Sequence, residues 1–252
     1  MAKLSVCVEM FWQSLSIPER IARSAALGYS AFEFWGWKGK DIAGIRRAMD
    51  DSGLTLAAMC IEPNFSLIRR DAADELVAGM QESVHVAQQL GCRTMIATTG
   101  NTYDDESFEA SRRRVVSHLK LVGQVAADHG ITLVLEPLNT LADHHGYWLT
   151  KMAQAVDIID EVDSPAVRIL MDLYHQQVQE GNLIANLRQY IGRIGHMHCA
   201  GVPGRHELVG GELDYRAIFK AVDEAGYQKY IGLEYAPTID SDESLREPLT
   251  LV

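Results

Sequence analysis

The chain has 252 residues, 47% hydrophobic and 23% charged, the size and mix of one α/β domain with a full core and short for two. A formal net charge of -11 repels phosphate backbones and argues against a nucleic-acid partner. No apolar run is long enough to span a bilayer, the start MAKLSVCVEM shows no secretory pattern, and Cys7, Cys60, Cys92 and Cys199 form no Cys-x-x-Cys pair; the expectation is a cytoplasmic protein with reduced, buried thiols, no membrane partner and no zinc-finger spacing.

Short apolar runs rich in β-branched residues alternate with segments of helical spacing. The first strand, near residues 4–10, runs into EMFWQSLS. Ser16, Pro18 and Glu19 then mark a helix start and Gly28 its end. Strands follow near residues 31–36 and 55–61, with Gly53 closing the helix between them. Leu76, Met80, Val84, Ala87 and Leu90 form one helical stripe, closed by Gly91 before a strand near 94–99. Val115, Leu119, Val122 and Val125 form the next, closed by Gly130 before a strand near 132–138. Strands near 167–173 and 193–199 flank the stripe Leu183, Leu187, Ile191, and Gly226 precedes a last strand near 229–235. The tail APTIDSDESLREPLTLV is short and acidic, and reads as a truncated eighth helix that relies on packing against another subunit.

Eight strand-helix units predict a (β/α)8 TIM barrel, an α/β fold occupying residues 1–252 as a single domain. The rival, an open doubly wound sheet, would carry a glycine-rich phosphate loop after its first strand, and EMFWQSLS has no glycine.

The last four strands carry the chemistry. LVLEP, RILMD, GHMHC and YIGLE end in or beside Glu136, Asp172, His198 and Glu234. Burying an unpaired charge is strongly unfavourable, so four such ends are best explained by convergence on one cation. In a TIM barrel these ends share the top face, on consecutive strands. Three carboxylates and one imidazole suit Mg²⁺ or Mn²⁺ and admit Co²⁺ or Zn²⁺. Each residue alone has an ordinary reading: Glu136 as a solvent-facing strand end, Asp172 as a helix cap. His196 shares a strand face with His198 and is assigned a structural role lower in the barrel.

His175, just past Asp172, is a substrate donor or a cap residue. Arg205 offers a planar fork for a carboxylate, or is a surface residue paired with Glu207. Phe11, Trp12, Phe34, Trp35, Trp37, Tyr147 and Trp148 are mostly core or subunit-contact groups, with one or two walling the pocket. Glu9 and Glu62 also end strands, and the Asp143, His144, His145 cluster carries no assigned role. His85, His118 and His129 read as surface or packing histidines.

The segments LVLEPLNT, GYWLT, MDLYHQQVQEGNLI, IGHMHCAGVPGRHELVGGELDY and GYQKYIGLEY, from about Leu133 to Tyr235, carry a resemblance. The chain resembles the hydroxypyruvate isomerase family of xylose isomerase-like TIM barrels and is similar to ketose 3-epimerases. The first half matches only in its strand-helix rhythm, with marks such as LGYSAFEFWG. The resemblance implies one divalent metal ion on Glu136, Asp172, His198 and Glu234. Glu136 and Glu234 double as proton-transfer groups, and His175 and Arg205 contact substrate. It further implies an intramolecular oxidoreductase of carbohydrate metabolism, and a homo-oligomer acting on a small-molecule substrate is expected. The reaction takes hydroxypyruvate to tartronate semialdehyde, or a similar oxo-acid conversion, by proton transfer through a metal-bound enediolate. His198 stands where some members have glutamine, which pulls toward the epimerase branch. A ketose 3-epimerase or related sugar isomerase is the alternative, then a non-catalytic sugar-binding barrel.

Overall fold

Eight short strands, each followed by at least one helix, run through residues 1–62 and 66–252, the part described by the computed structural model. In chain order they are β1 Lys3–Cys7, α1 Ile17–Ala26, β2 Ala31–Phe34, α2 Ile42–Ser52, β3 Thr55–Cys60, α3 Ala73–Leu90, β4 Thr94–Ala97, α4 Phe108–Asp128, β5 Thr132–Leu135, α5 Met152–Val162, β6 Val167–Asp172, α6 Leu173–Gln179, α7 Leu183–Tyr190, β7 Ile194–Cys199, α8 Tyr215–Glu224, β8 Tyr230–Leu233 and α9 Ser241–Arg246. The strands pair in sequence order, all parallel, and β8 returns to β1, so the sheet closes into a single-domain TIM barrel.

The helix signals act as read. The Glu19 carboxylate accepts from the Ser16 backbone N–H at 2.7 Å and from its hydroxyl at 2.6 Å, which secures the start of α1. Gly53 and Gly91 end α2 and α3 in the left-handed conformation, with φ 72° and 69°. Two elements differ from expectation. The first strand stops at Cys7, and residues 8–10 already form the turn above it. The acidic tail forms α9, which packs on its own chain. Its Leu245 is fully buried. The Tyr29 hydroxyl donates to Leu245 O at 2.6 Å, the Trp12 indole to Asp242 at 2.8 Å, and Arg23 pairs with Asp242 at 2.8 Å. The acidic residues that made the segment look unanchored are themselves the cap and the anchor. Among the described residues no helix is long and apolar enough to cross a membrane.

The barrel lumen is filled by two unlike plugs. Ala58, Ile96, Val134 and Leu170, from β3 to β6, form a buried apolar cluster with the half-buried Cys60 against it. Burying the Ile, Val and Leu side chains stabilises the fold by roughly 1.5–3 kcal/mol each. Ser5, Glu33 and His196, from β1, β2 and β7, fill the other side and are equally buried. His118 is a packing histidine whose Nδ1 lies 2.8 Å from Leu67 O, and His85 and His129 are exposed.

Candidate metal centre

Side chains two residues apart on a strand share a face, so the groups above the two plugs line the barrel mouth. Register sets their neighbours: Leu170 pairs with His196, Asp172 with His198, and His198 with Gly232. Glu136 directly follows β5 and Glu234 directly follows β8. One ligand atom each from Glu136, Asp172, His198 and Glu234 lies within 4.8 Å of all the others, and all four residues are buried. The four strand ends therefore meet as expected.

Asp172 caps a helix with one oxygen and belongs to the cluster that could hold a metal ion. Its Oδ1 accepts the backbone N–H of Tyr174 at 2.8 Å and of His175 at 3.1 Å, capping α6. Its Oδ2 lies 3.6 Å from His175 Nε2 and 3.8 Å from the Arg205 guanidinium. His198 is divided in the same way. Its Nε2 lies 2.9 Å from Glu33 Oε2. Its Nδ1 faces Glu234 Oε2 at 3.3 Å and Glu136 Oε1 at 3.9 Å, is buried, and makes no hydrogen bond among the described residues. A buried imidazole nitrogen without a hydrogen-bond partner, beside two carboxylates, could hold a metal ion.

Charge crowding gives the same reading. Burial, and then Glu234 and Asp172, push the Glu136 carboxyl up to about 8, against the opposing pull of His198 and Arg205. Burial opposes ionisation of Glu234, yet His198, Arg205 and the Trp35 indole hold it well below the usual carboxylate range. Burial disfavours a charged His198, yet Glu234 and Glu33 raise it well above its ordinary value. Protons thus balance the excess negative charge, and a divalent cation is the natural replacement. An oxygen-rich donor set with one imidazole fits Mg²⁺ or Mn²⁺.

Sequence reasoning missed Glu33. Its carboxylate accepts from His198, from His196 Nε2 at 3.1 Å to either oxygen, and from the Ser5 hydroxyl. Burial opposes its ionisation, but His196 and His198 bring its pKa down to about 2. The structural role assigned to His196 is this bond. Glu33 reaches β7 by passing over Gly232, where a Cβ would come within 2.6 Å of the His198 ring and 2.7 Å of the carboxylate. A signal existed: a lone acid inside the apolar run AFEF is as anomalous as one at a strand end.

Arg205 is not the partner of Glu207, and part of its fork already holds Glu234. Its guanidinium pairs with Glu234, lies 3.8 Å from Asp172 Oδ2, and donates through Nε to Glu234 O at 3.2 Å. Glu207 instead accepts from Thr238 N at 2.8 Å and from the Ser244 hydroxyl at 3.0 Å. The reason is backbone direction. Arg205 sits at φ 60° and its N–H bonds Gly201 O, so the tight loop returns it to β8.

His175 is buried, and burial lowers its pKa despite Asp172. Its Nε2 lies 3.6 Å from Asp172 Oδ2 and makes no hydrogen bond among the described residues. Of the unassigned cluster, Asp143 accepts from Tyr174 Oη at 2.9 Å and His144 packs edge-on against His175 at 5.0 Å. His145 is exposed. Glu9 pairs with Lys40 at 2.7 Å, and Glu62 accepts from Lys38 N at 2.8 Å, so both tie loops together. Trp35, 43% exposed, reaches Glu234 Oε1 through its indole N–H at 2.6 Å and walls the mouth.

A family model described as xylose isomerase-like TIM barrel matches residues 21–250. A 2-oxo-tetronate isomerase of Cupriavidus necator is 30% identical over 254 residues, 97% of this chain and 96% of its own. A putative hydroxypyruvate isomerase of Danio rerio is 28% identical over 260 residues, 97% of this chain and 94% of its own. A crystal structure of a Brucella melitensis protein called AP endonuclease, family 2, matches with a TM-score of 0.94 at 26% identity over 99% of each chain.

Proposed function

This chain belongs to the xylose isomerase-like TIM barrel family, and from that premise we propose that it is a metal-dependent isomerase of a small hydroxy-oxo compound, hydroxypyruvate or a related 2-oxo acid. The observation that carries the reading is the buried group of three carboxylates with the unpartnered Nδ1 of His198 turned into it. Similarity along nearly the whole chain to a 2-oxo-tetronate isomerase supports the substrate class.

Glu136, Asp172, His198 and Glu234 would hold the cation. When bound, it supplies positive charge to the substrate oxygens on which negative charge develops. Isomerisation moves a proton between adjacent carbons, which requires a base near one carbon and an acid near the other. Glu136 and Glu234 come from strands on either side of Asp172 and His198, and take these two roles. They are not equivalent. Glu234 is restrained by Arg205, Trp35 and His198, whereas the ion-pair contact of Glu136 is His198 at 3.9 Å, so Glu136 is the freer proton carrier. Arg205 and His175 present N–H donors to the remaining substrate oxygens. Trp35 limits water above Glu234.

The nuclease name of the Brucella relative points elsewhere. A net charge of -11 and a single imidazole among the four ligands disfavour a phosphate backbone as substrate.

The test is proton exchange. Protein stripped with EDTA and reloaded with Mg²⁺ or Mn²⁺ is incubated in D₂O with hydroxypyruvate or 2-oxo-tetronate and followed by ¹H NMR. Deuterium incorporation at the carbon beside the carbonyl, dependent on metal, is expected. No exchange with either substrate under either metal refutes the assignment.

A further inference from the structure

The hydrogen bonds around Asn139 fix the proton on His175. Asn139, four residues past the end of β5, is fully buried. Its Oδ1 lies 3.0 Å from the backbone N of Ala142 and 3.1 Å from that of Asp143. Backbone N–H groups only donate, so this end of the amide is the oxygen. Its Nδ2 lies 2.7 Å from Asp143 Oδ2 and 2.7 Å from His175 Nδ1. An amide nitrogen has no acceptor capacity, so it donates one hydrogen to each. His175 Nδ1 is therefore a lone pair, and the ring proton is on Nε2. An imidazolium would set N–H against N–H at 2.7 Å and break the contact.

That Nε2–H is buried and unpartnered among the described residues, 3.6 Å from the Asp172 oxygen that does not cap α6. We propose that Asn139 is a positioning residue that locks His175 as a neutral Nε2–H donor, aimed at a substrate oxygen seated beside Asp172. The nature of that oxygen rests on the isomerase reading; the proton position does not. A neutral donor suits the place, because a charged ring would be repelled by the adjacent Arg205 and by a bound cation. The arrangement also gives part of the Asp143, His144 cluster a purpose: Asp143 takes the other Asn139 hydrogen, and Tyr174 holds Asp143 at 2.9 Å.

The test reverses the polarity of the lock. In Asn139→Asp combined with Asp143→Asn, the new amide donates to both the new carboxylate and Tyr174, so the pair keeps its bond. The carboxylate at 139 then draws the ring proton to Nδ1. ¹⁵N-histidine NMR of the metal-free proteins, with His175 assigned from the spectrum of His175→Asn, is expected to show Nε2–H in the wild type and Nδ1–H in the exchange variant. Oxalate, a planar mimic of two adjacent substrate oxygens, is then titrated into the Mg²⁺-loaded proteins. It should shift the wild-type Nε2–H resonance and bind the exchange variant about tenfold or more weakly, the scale of one hydrogen bond to a charged acceptor, with Mg²⁺ affinity changed little. A wild-type proton on Nδ1 overturns the proposal. So do a flipped proton without loss of oxalate affinity, and a loaded wild type whose resonance ignores oxalate. If the exchange variant does not fold, Asn139→Ser replaces it. There a mixture of tautomers is expected, and an unchanged single tautomer refutes the lock. Absence of turnover with the lock intact would count against the isomerase reading alone.

Discussion

Replacing Glu33 by glutamine separates what holds the barrel together from what shapes its metal site. The carboxylate accepts from His196, His198 and Ser5 at once. Glutamine keeps the shape, but it offers one oxygen and turns an N–H₂ group toward the other donors. Hydrogen bonds to a charged partner contribute about 1.5–3 kcal/mol and neutral ones about 0.5–1.5. Weakening the two imidazole bonds therefore costs about 2 kcal/mol, or a Tm drop of about 4–8 °C for a domain of this size. The ligand suffers separately, because losing the negative partner of a metal-binding imidazole lowers affinity about 10–100-fold. The assays are thermal unfolding in EDTA and calorimetric titration with Mn²⁺. His196→Gln is the control: it removes a bond of Glu33 and an edge-on ring contact with His198 at 5.1 Å but leaves the Glu33–His198 bond in place, so stability falls while Mn²⁺ affinity drops less than in Glu33→Gln. The pH dependence adds a sign. Glu33 has its pKa lowered to about 2 by its two histidines against burial. Its contribution is thus fully present above the unfolded value of about 4.3 and is lost as pH falls toward 2. The stability difference between wild type and Glu33→Gln should shrink over that window. Wild-type Mn²⁺ affinity in Glu33→Gln, or equal loss in His196→Gln, refutes the division.

Gly232→Ala should disturb the same junction from beneath, since its Cβ would lie 2.6 Å from the His198 ring and 2.7 Å from Glu33; lower Mn²⁺ affinity and a Tm loss of a few degrees are expected, and an unaffected variant would show that the crossing has slack. Glu136→Gln and Glu234→Gln should each reduce turnover at least about 10²–10⁴-fold while metal remains partly bound; activity retained in both ends the two-glutamate scheme. Arg205→Lys should impair turnover of a carboxylate-bearing substrate far more than that of a neutral ketose, because lysine lacks the planar fork. Equal, mild losses on both would remove Arg205 from substrate recognition.

Most of the barrel and of the candidate ligand group was legible because both obey a period. Apolar runs of strand length separated by 3.6-residue stripes give the alternation, and an acid where such a run stops violates burial at a countable place. Glu136, Asp172, His198 and Glu234 were found in this way, and they meet. Glu33 breaks the same rule inside AFEF rather than at its end. Only closure of the barrel brings β2 within reach of β7, so its partners lie 163 and 165 residues away and leave no local trace. Asn139 is harder still. Two of its bonds, to the N–H groups of Ala142 and Asp143, are those of an ordinary turn asparagine, and the bond that matters lies 36 residues away. The acidic tail read as a helix dependent on another subunit because its anchors are equally remote in sequence: Asp240 caps α9, and Asp242 binds Trp12 and Arg23 of its own chain.

The unequal filling of the lumen explains why the candidate ligand group is held where it is. On the β3 to β6 side the floor beneath Glu136 and Asp172 is Ala58, Ile96, Val134 and Leu170, which offers no hydrogen bond to a carboxylate above it. Beneath His198 the floor is Glu33, His196 and Ser5, which grips one imidazole nitrogen and frees the other. Asp172 takes its grip from the helix it caps, and Glu234 from Arg205 and Trp35. Of the two acids above the apolar floor, Glu136 is the one with no such clamp described around its carboxylate. An acid in that position is the least stabilised as an anion, and its pKa is pushed up to about 8. Burial and the neighbouring acids thus favour Glu136 as the proton carrier proposed above, and the apolar plug beneath it is part of that burial. Polar substitution of Val134, one turn of the strand pleat below Glu136, should therefore alter proton transfer more than metal affinity, which deuterium exchange and Mn²⁺ titration on Val134→Thr would read separately.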